Sequence, residues 1–248
     1  GDYYNTGREV FLLPVTWEKG WPRITRPGEA IPYVHRRPDL PAQPSPPVPT
    51  SGAFSVTDEF DGPALPHRWM MMRNPRQLWH ELSGGELRME ARNVPLGGFG
   101  NPSFLARRQQ HLDASASTIV RFRPGKDGDS AGLAALQNDE YFFYLAVARR
   151  GGRPVVELRR RAGPDDPAEG ALIASAPLGA DFGALVRLRI DANKAEYSFA
   201  YATGRGEWRT LGVREDARIL STKTAGGFVG AVFGLHAYSP TMPGAAPQ

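Results

Sequence analysis

The stretch that decides the fold is Ala184-Leu185-Val186-Arg187-Leu188-Arg189-Ile190, in which apolar and charged residues alternate. Successive side chains of a β-strand point to opposite sides, so Val186, Leu188 and Ile190 share one side and the two arginines share the other. A strand of this kind is typical of a sheet that faces a core on one side and water on the other. The stretch therefore predicts a half-buried strand.

The same period of two recurs along the chain, and turn signals separate the stretches that show it. The stretches are Ser117–Arg123, Val155–Arg159 and Glu196–Tyr201, and the turns lie at 124–128, 150–152, 163–167, 191–194 and 203–206. Short strands joined by tight turns, with no helical period between them, predict two packed antiparallel sheets. The predicted fold class is an all-β antiparallel sandwich. The strand pattern leaves an immunoglobulin topology and a lectin-like jelly roll both open.

Composition excludes several classes of protein. The 248 residues include 28 Gly and 23 Pro, which disfavours long helices. No apolar run approaches the roughly 20 residues that span a bilayer, and the first residues lack the layout of a signal peptide, so we expect no membrane partner. The basic residues, 26 Arg and 4 Lys, are spread along the chain without a known motif. We therefore expect no nucleic-acid partner.

The common catalytic and metal-binding motifs are also absent. The chain has no Cys, which excludes disulfides, thiolate nucleophiles and Cys-ligated zinc, and its 5 His lack a metal-binding spacing. There is no nucleophile elbow, phosphate loop or dinucleotide fingerprint, and residues 97–100, Gly-Gly-Phe-Gly, follow no strand-to-helix pattern. The sequence predicts no catalytic residue in this chain. It leaves the compartment open, with the cytoplasm favoured.

Three segments differ in composition. Residues 1–25 read as one or two strands with a turn at Glu18-Lys19-Gly20, and they are too short to bury a core unless they dock on another structure. Residues 26–52 are proline-rich, which predicts an extended linker, with an SH3-ligand role for Pro44-Ser45-Pro46-Pro47 as the alternative. Residues 53–248 carry the strand pattern and are predicted to form the sandwich.

One acidic cluster is a candidate metal site. Asp58 and Asp61 lie in Asp58-Glu59-Phe60-Asp61, ahead of a turn at Gly62-Pro63. Carboxylates at this spacing on an irregular loop could ligate calcium through oxygen, although the spacing does not match an EF-hand. The alternative is a solvated turn beside the first strand. Calcium is thus the one cofactor that the sequence suggests, and none is required.

Aromatic residues suggest one candidate contact with a ligand. Most lie in predicted strands, where core packing is the usual role: Trp69, Trp79, Tyr141, Phe142, Phe143, Tyr144 and Trp208. Phe228 differs because it lies in the glycine-flanked stretch Gly226-Gly227-Phe228-Val229-Gly230. An apolar ring on such a loop suits contact with a ligand, and a core position at a strand end is the alternative.

The chain resembles the C-terminal part of glycoside hydrolase family 43 enzymes. Residues 5–17 with Gly20-Trp21-Pro22 resemble the closing segment of the family's five-bladed β-propeller. The stretches at 54–61, 105–111 and 227–230 resemble the concanavalin A-like, jelly-roll type β-sandwich that follows the propeller in its β-xylosidases. The resemblance covers nearly the whole chain. It implies a sandwich preceded by a short propeller remnant and a proline-rich linker.

The resemblance also implies roles for two residues. Arg8, in Gly7-Arg8-Glu9, matches an arginine that hydrogen-bonds the sugar in the active site, and Phe228 matches an aromatic residue that lines the neighbouring subsite. The family removes xylose or arabinose from hemicellulose by inverting hydrolysis, and its catalytic carboxylates belong to propeller blades absent from this chain. The implied partners are therefore a catalytic propeller segment of the same enzyme and a xylo- or arabino-oligosaccharide. The isolated chain is expected to be inactive.

Two other functions remain open at this point. One is a free-standing lectin-like module that binds xylan-type glycans, and the other is a structural domain that supports a propeller and promotes homo-oligomerisation. The family's usual closing strand has no counterpart after Gly234-Leu235-His236-Ala237-Tyr238, where the chain continues into Ser239-Pro240. An unpaired sheet edge is therefore expected near Tyr238.

Overall fold

The computed structural model describes residues 4–8, 10–32, 34–49, 51–179 and 182–242. The chain divides into two compact units, one made of residues 1–8 and 59–248 and the other of residues 9–58. The domain boundaries predicted at residues 25 and 52 stay predictions, and the compact units instead divide at residues 8 and 58. The start of the predicted 1–25 segment and the end of the predicted 53–248 domain lie outside the described residues.

The unit of residues 9–58 contains one β-hairpin, formed by β1 (Thr16–Glu18) and β2 (Trp21–Arg23). Lys19 and Gly20 form the predicted turn, and both have positive φ angles, of 50° and 82°. The proline-rich residues described here form neither strand nor helix. The hairpin exposes Trp17 by 71% and Trp21 by 74%.

The larger unit contains a seven-stranded sheet with the spatial order β11-β10-β9-β8-β16-β6-β3. Neighbouring strands are antiparallel. The strands are β3 (Met70–Met71), β6 (Ser103–Arg108), β8 (Ser130–Asn138), β9 (Tyr141–Arg150), β10 (Arg153–Ala162), β11 (Ala171–Pro177) and β16 (Val232–Tyr238).

A second, five-stranded sheet faces the first, in the order β14-β13-β12-β7, with β15 also paired to β13. Its strands are β7 (Asp113–Arg121), β12 (Leu185–Asn193), β13 (Glu196–Thr203), β14 (Arg209–Thr210) and β15 (Glu215–Asp216). A separate hairpin joins β4 (His80–Ser83) to β5 (Glu86–Met89), and a 3-10 turn (Ala217–Leu220) precedes the short helix α1 (Thr222–Ala225). The predicted all-β sandwich is confirmed.

The core lies between the two sheets and follows the alternation predicted from sequence. Val186, Leu188 and Ile190 of β12 are fully buried in it, whereas Arg187 and Arg189 point away from it. Their partners from the other strands include Phe143, Leu145, Val147, Val156, Leu158, Tyr197 and Phe199. Burial of this apolar surface is the main favourable term in the free energy of folding.

The other side of the seven-stranded sheet is also covered, by the segment that precedes β6. Leu96 from that segment packs with Phe104, Phe142 and Tyr144 of the sheet in a second apolar cluster. Beside it lies Glu157, which is 0% exposed. Its carboxylate accepts hydrogen bonds from Arg150 at 2.7 and 2.9 Å and from Arg159 at 2.8 Å. A carboxylate buried this completely requires such partners, because an unpaired buried charge is costly.

The expectation of an unpaired edge near Tyr238 is wrong. Strand β16 lies in the interior of the seven-stranded sheet, paired with β8 on one side and with β6 on the other. The sheet ends instead at β11 and β3. The expectation failed because chain order does not give spatial order: β16, the last strand among the described residues, is inserted between two earlier ones.

The aromatic residues predicted to lie in the core differ in burial. Trp79, Phe142, Phe143 and Tyr144 are buried, whereas Trp69 and Tyr141 are half-buried. Trp208 is not a core residue, since its ring lies 4.9 Å from the guanidinium carbon of Arg187 and 4.6 Å from that of Arg189, both on the outward side of β12. Among the described residues, no helix is long and apolar enough to cross a membrane.

The arginine pair around Glu157 predicts a pH-dependent contribution to stability. Burial by itself would raise the pKa of the Glu157 carboxyl, but hydrogen bonds from Arg150 and Arg159 outweigh it and hold the pKa below its ordinary value. The contribution is thus complete above the unfolded-state pKa of about 4.3 and is lost as pH falls through the folded-state pKa. We expect Glu157→Gln to cost about 3 kcal/mol at pH 7, or about 6–12 °C in Tm.

Thermal unfolding followed by circular dichroism at pH 7 and at pH 3 tests this expectation. The difference in Tm between wild type and Glu157→Gln should shrink at pH 3. Glu81→Gln is the matched control, because Glu81 is an exposed partner of Arg88 and its removal should change stability by less than about 1 kcal/mol. Equal Tm values for Glu157→Gln and wild type at pH 7 would contradict the assignment.

Candidate functional site

Phe228 lies on the loop between α1 and β16, as the sequence predicted, and its side chain is 69% exposed. The loop begins with Gly226 and Gly227, whose φ angles are 74° and 72°. Residues other than glycine rarely adopt this left-handed region, so the two glycines permit the turn that presents the ring. Phe228 is therefore not a core residue at a strand end.

Three polar side chains hold the backbone of this loop. Gln137 donates hydrogen bonds from Nε2 to the carbonyl oxygens of Gly226 at 3.1 Å and Val229 at 3.0 Å. Asn138 donates to the carbonyl oxygen of Ala225 at 3.1 Å, and Arg108 donates to that of Gly230 at 3.0 Å. Each of these donors lies at a strand end of the seven-stranded sheet. The sheet therefore fixes the position of the loop.

Residues 4–8, here called the N-terminal segment, pack against the same region. Asn5 is only 2% exposed, and its Nδ2 donates to the carbonyl oxygen of Ala217 at 2.9 Å. The backbone N–H of Ala231 donates to the carbonyl oxygen of Asn5 at 2.7 Å, and that of Thr222 donates to the carbonyl oxygen of Tyr4 at 3.2 Å. These bonds tie the N-terminal segment to the 3-10 turn, to the start of α1 and to the end of the Phe228 loop.

A close contact between two glycines allows this packing. A Cβ atom on Gly7 would lie 2.5 Å from the nitrogen of Gly230, and one on Gly230 would lie 2.4 Å from the carbonyl carbon of Thr6. Both distances are shorter than the closest approach of nonbonded heavy atoms, so no side chain fits at either position. Gly7 also has a φ angle of 80°. The two backbones can therefore touch only where both residues are glycine.

The contact places Arg8 against Phe228. The guanidinium carbon of Arg8 lies 4.1 Å from the centroid of the Phe228 ring, within the range of a cation–π interaction. Both side chains are exposed. The two residues that the sequence singled out, 220 positions apart in the chain, thus form one pair, here called the Arg8–Phe228 pair. Glu9, the third residue of the Gly-Arg-Glu motif, lies outside the described residues.

A buried polar cluster adjoins Ala231, the residue whose N–H donates to Asn5. The hydroxyl of Tyr197 donates to Oε1 of Gln109, and the backbone N–H of Gln109 donates to the carbonyl oxygen of Ala231 at 3.0 Å. Burial raises the pKa of Tyr197 to about 12, so its hydroxyl stays protonated and remains a donor at neutral pH. Through Gln109, the cluster links Tyr197 of β13 to Ala231, which precedes β16 and also bonds Asn5.

Sequence reasoning missed the residues that support the pair. Asn5 and Gln109 appeared in the motif stretches without a role, and Gln137 and Asn138 were not singled out. One signal for the last two was available, because two amides at the end of an apolar strand need hydrogen-bond partners when buried. No pattern in the sequence indicated the contact between Gly7 and Gly230, because glycine occurs in turns for several reasons.

The pair can bind but cannot perform acid–base catalysis at neutral pH. A guanidinium stays protonated, so Arg8 can donate hydrogen bonds and charge but cannot act as a base. Phe228 offers only an apolar ring. Among the described residues, no group of three or more His, Asp or Glu is arranged to hold a metal. Asp58 and Asp61 belong to different compact units, and calcium there stays a prediction.

The outer side of the seven-stranded sheet, where a lectin-like module could bind a glycan, contains one small cavity among the described residues. The cavity beside Tyr144, Arg150, Arg159 and Tyr238 holds about 10 Å³, roughly the room for one water molecule. His236 also lines it, and burial lowers the pKa of His236 to about 4, so the imidazole is neutral at pH 7. A glycan chain does not fit in this cavity.

Comparisons with known proteins agree with the fold. The family model of the beta xylosidase C-terminal concanavalin A-like domain matches residues 57–246. A non-reducing end alpha-L-arabinofuranosidase of Bacteroides ovatus is 29% identical over 240 residues, which are 96% of this chain and 42% of that protein. A xylosidase/arabinosidase of Butyrivibrio fibrisolvens is 30% identical over 237 residues, 94% of this chain and 43% of that protein.

Solved structures give the same result. A GH43 protein retrieved from a capybara gut metagenome superposes with a TM-score of 0.81 at 28% identity, covering 95% of this chain and 44% of that one. The GH43B protein of the Bacteroides ovatus xyloglucan locus superposes with a TM-score of 0.79 at 27% identity, covering 97% and 45%. The chain thus spans less than half the length of these relatives.

The Gly7–Gly230 contact predicts a specific effect of one methyl group. We expect Gly230→Ala to separate the N-terminal segment from the loop, because the added Cβ would overlap the backbone of Thr6. Overpacking of this kind costs about 1–3 kcal/mol. Hydrogen–deuterium exchange measures the effect, since the amide of Ala231 should lose the protection it gains from Asn5.

Gly125→Ala is the matched control. A Cβ there would meet only Asp129 at an ordinary distance of 3.7 Å, so exchange at Ala231 should stay as in wild type. Unchanged protection of Ala231 in Gly230→Ala would show that the contact does not hold the segment.

Proposed function

The chain belongs to the family of beta xylosidase C-terminal concanavalin A-like domains, and from that premise we propose that it is the accessory β-sandwich of a hemicellulose-degrading glycosidase. The proposed enzyme is exo-acting and inverting, and it releases xylose or arabinose from the end of a chain. In it, the sandwich helps to shape the substrate pocket and stabilises a catalytic propeller. The names of two relatives, an arabinofuranosidase and a xylosidase/arabinosidase, support this substrate class.

The observation that carries the proposal is the Arg8–Phe228 pair. An exposed cation stacked on an exposed ring, on two segments that hydrogen bonds hold in place, has the chemistry of a sugar contact. The guanidinium of Arg8 offers a planar set of donors for adjacent sugar hydroxyls. Phe228 packs against the apolar side of the next sugar and shortens the pocket, which favours release of single terminal sugars.

The catalytic carboxylates come from outside this chain in the proposed enzyme. Inverting hydrolysis needs a carboxylic acid and a carboxylate base about 6.5–9.5 Å apart, with the attacking water between them. The relatives are more than twice as long as the matched region, which leaves room for a propeller that carries these groups. Hydrolysis of this kind requires no cofactor.

The unit of residues 9–58 offers a surface for that propeller. Val10, Phe11 and Leu12 are exposed, as are Trp17 and Trp21 of the β1–β2 hairpin. Several neighbouring apolar side chains in water are typical of a surface that a partner covers. The partner we propose is the catalytic propeller of the same enzyme, which the hairpin completes as its closing segment.

Kinetics of the intact enzyme test the role of the pair. We expect Phe228→Ala to lower kcat/KM on xylo-oligosaccharides about tenfold, because a lost ring contact worth about 1.4 kcal/mol in the transition state has that effect. Phe99→Ala is the matched control, since Phe99 is even more exposed and makes no ring contact with Arg8. Unchanged kinetics with a lowered Tm for Phe228→Ala would favour a purely structural domain.

Activity of the 248-residue chain by itself is a second test. We expect no hydrolysis of aryl β-xylosides or aryl α-L-arabinofuranosides above the rate without protein, because Arg8 and Phe228 cannot act as acid and base. The intact enzyme, assayed in parallel, is the positive control. Turnover by the purified chain at a rate comparable with the intact enzyme would refute the assignment of catalysis to the propeller.

A further inference from the structure

Strand β7 (Asp113–Arg121) forms one edge of the five-stranded sheet, and it is the longest edge strand among the described residues of the sandwich. The backbone N–H of Phe122 donates to the carbonyl oxygen of Ala184 at 2.9 Å, and that of Lys194 donates to the carbonyl oxygen of Leu112 at 3.1 Å. Hydrogen-bonded pairs alternate along an antiparallel ladder. The even-numbered residues of β7 therefore bond β12, and the odd-numbered residues direct their N–H and C=O groups away from the sheet.

These outward backbone groups have no hydrogen-bond partner within the part of the chain that the structure describes. All five residues that carry them are exposed, namely Asp113, Ser115, Ser117, Ile119 and Arg121. Ile119 is an apolar residue with 67% of its surface in water. Glu86 of β5 forms an ion pair with Arg121 at 3.0 Å, and this contact involves side chains only. The edge of β7 thus presents a row of free donors and acceptors.

The other edges of the two sheets are protected against pairing. Strands β3, β14 and β15 have two residues each. Strand β11 is longer, but its register with β10 breaks at Ile173 and it ends at Pro177. Short strands, bulges and prolines are devices by which β-proteins keep edges from pairing. Strand β7 has none of the three, since it contains no proline and its register with β12 is unbroken.

The side chains of β7 are complementary to a second copy of the same strand. Antiparallel pairing centred on Ser117 places Asp113 of each copy opposite Arg121 of the other, and Ser115 opposite Ile119. Opposite charges directly across an antiparallel pair stabilise it. Asp113 has no ion pair with any residue that the structure describes, so its carboxylate is available for this contact. Parallel pairing in register would instead place like charges side by side.

We propose that β7 is a dimerisation edge, which pairs antiparallel with β7 of a second copy of this chain about a two-fold axis at Ser117. About ten backbone hydrogen bonds form, two for each pair of odd-numbered residues. The two five-stranded sheets become one continuous sheet. Both β7 edges are used up by the pairing, so association stops at the dimer, the commonest homo-oligomer.

Sedimentation of the 248-residue chain over a range of concentrations tests the proposal. We expect a monomer–dimer equilibrium with a dissociation constant of about 10 µM, at the weak end of protein interfaces. Asp113→Arg should raise this constant at least about tenfold, because like charges then lie opposite each other at both ends of the pairing. The double variant Asp113→Arg with Arg121→Asp should restore the dimer, since the two charges are then exchanged.

Asp165→Arg is the matched control, because it makes the same change of charge in the exposed turn between β10 and β11. It should dimerise as wild type does. A chain that stays monomeric, species larger than a dimer, wild-type association of Asp113→Arg, or a double variant that stays monomeric would each overturn the proposal. Sedimentation needs no glycosidase activity, so its result is separate from any test of the proposed function.

Cross-linking tests the register. The chain has no Cys, so a single introduced thiol reports one position. Ser117→Cys places two thiols directly across the two-fold axis, with Cα atoms about 5.5 Å apart, and a short bis-maleimide should join them. Ser115→Cys is the control, because its two thiols lie about 14 Å apart along the strands and should cross-link several-fold less. Equal cross-linking of the two variants would refute the antiparallel register.

Discussion

Burial of one side of each central strand between two sheets is the constraint from which the other features follow. Val186, Leu188 and Ile190 meet Phe143, Leu145 and Val147 across the core. The opposite side of the seven-stranded sheet also carries apolar residues, which pack in a second cluster. The buried carboxylate of Glu157 lies on the same side and is paired with two arginines. The seven-stranded sheet therefore carries buried apolar clusters on both sides.

The candidate functional residues lie at one end of the sandwich. At one end, Gln137, Asn138 and Arg108 use strand-end positions to hold the backbone of the Phe228 loop. The N-terminal segment crosses this loop where Gly7 meets Gly230, and Arg8 is thus stacked on Phe228. The strands of the sheet hold the loops in place, and the loops carry the exposed side chains, as is common in binding proteins.

The relatives give this arrangement a context. In the relatives, the region that matches this chain is less than half of a longer protein. The exposed pair at the end of the sandwich and the exposed apolar hairpin in residues 9–58 are consistent with the proposed contact with a propeller.

The sequence by itself determined the sandwich, its turns and the loop that carries Phe228, whereas Arg8 was a candidate only through the resemblance to a family. Local patterns carry that information, because side-chain alternation and glycine-rich turns act within a few residues. Only the tertiary structure decided which elements meet. The amide of Asn5 bonds the carbonyl of Ala217, 212 positions away, and the last strand is inserted between β8 and β6. Likewise, Arg150, one of the two partners of Glu157, lies on the neighbouring strand β9. Such contacts depend on the spatial order of the strands and on the distance between two backbones. Neither can be predicted from a short stretch of sequence.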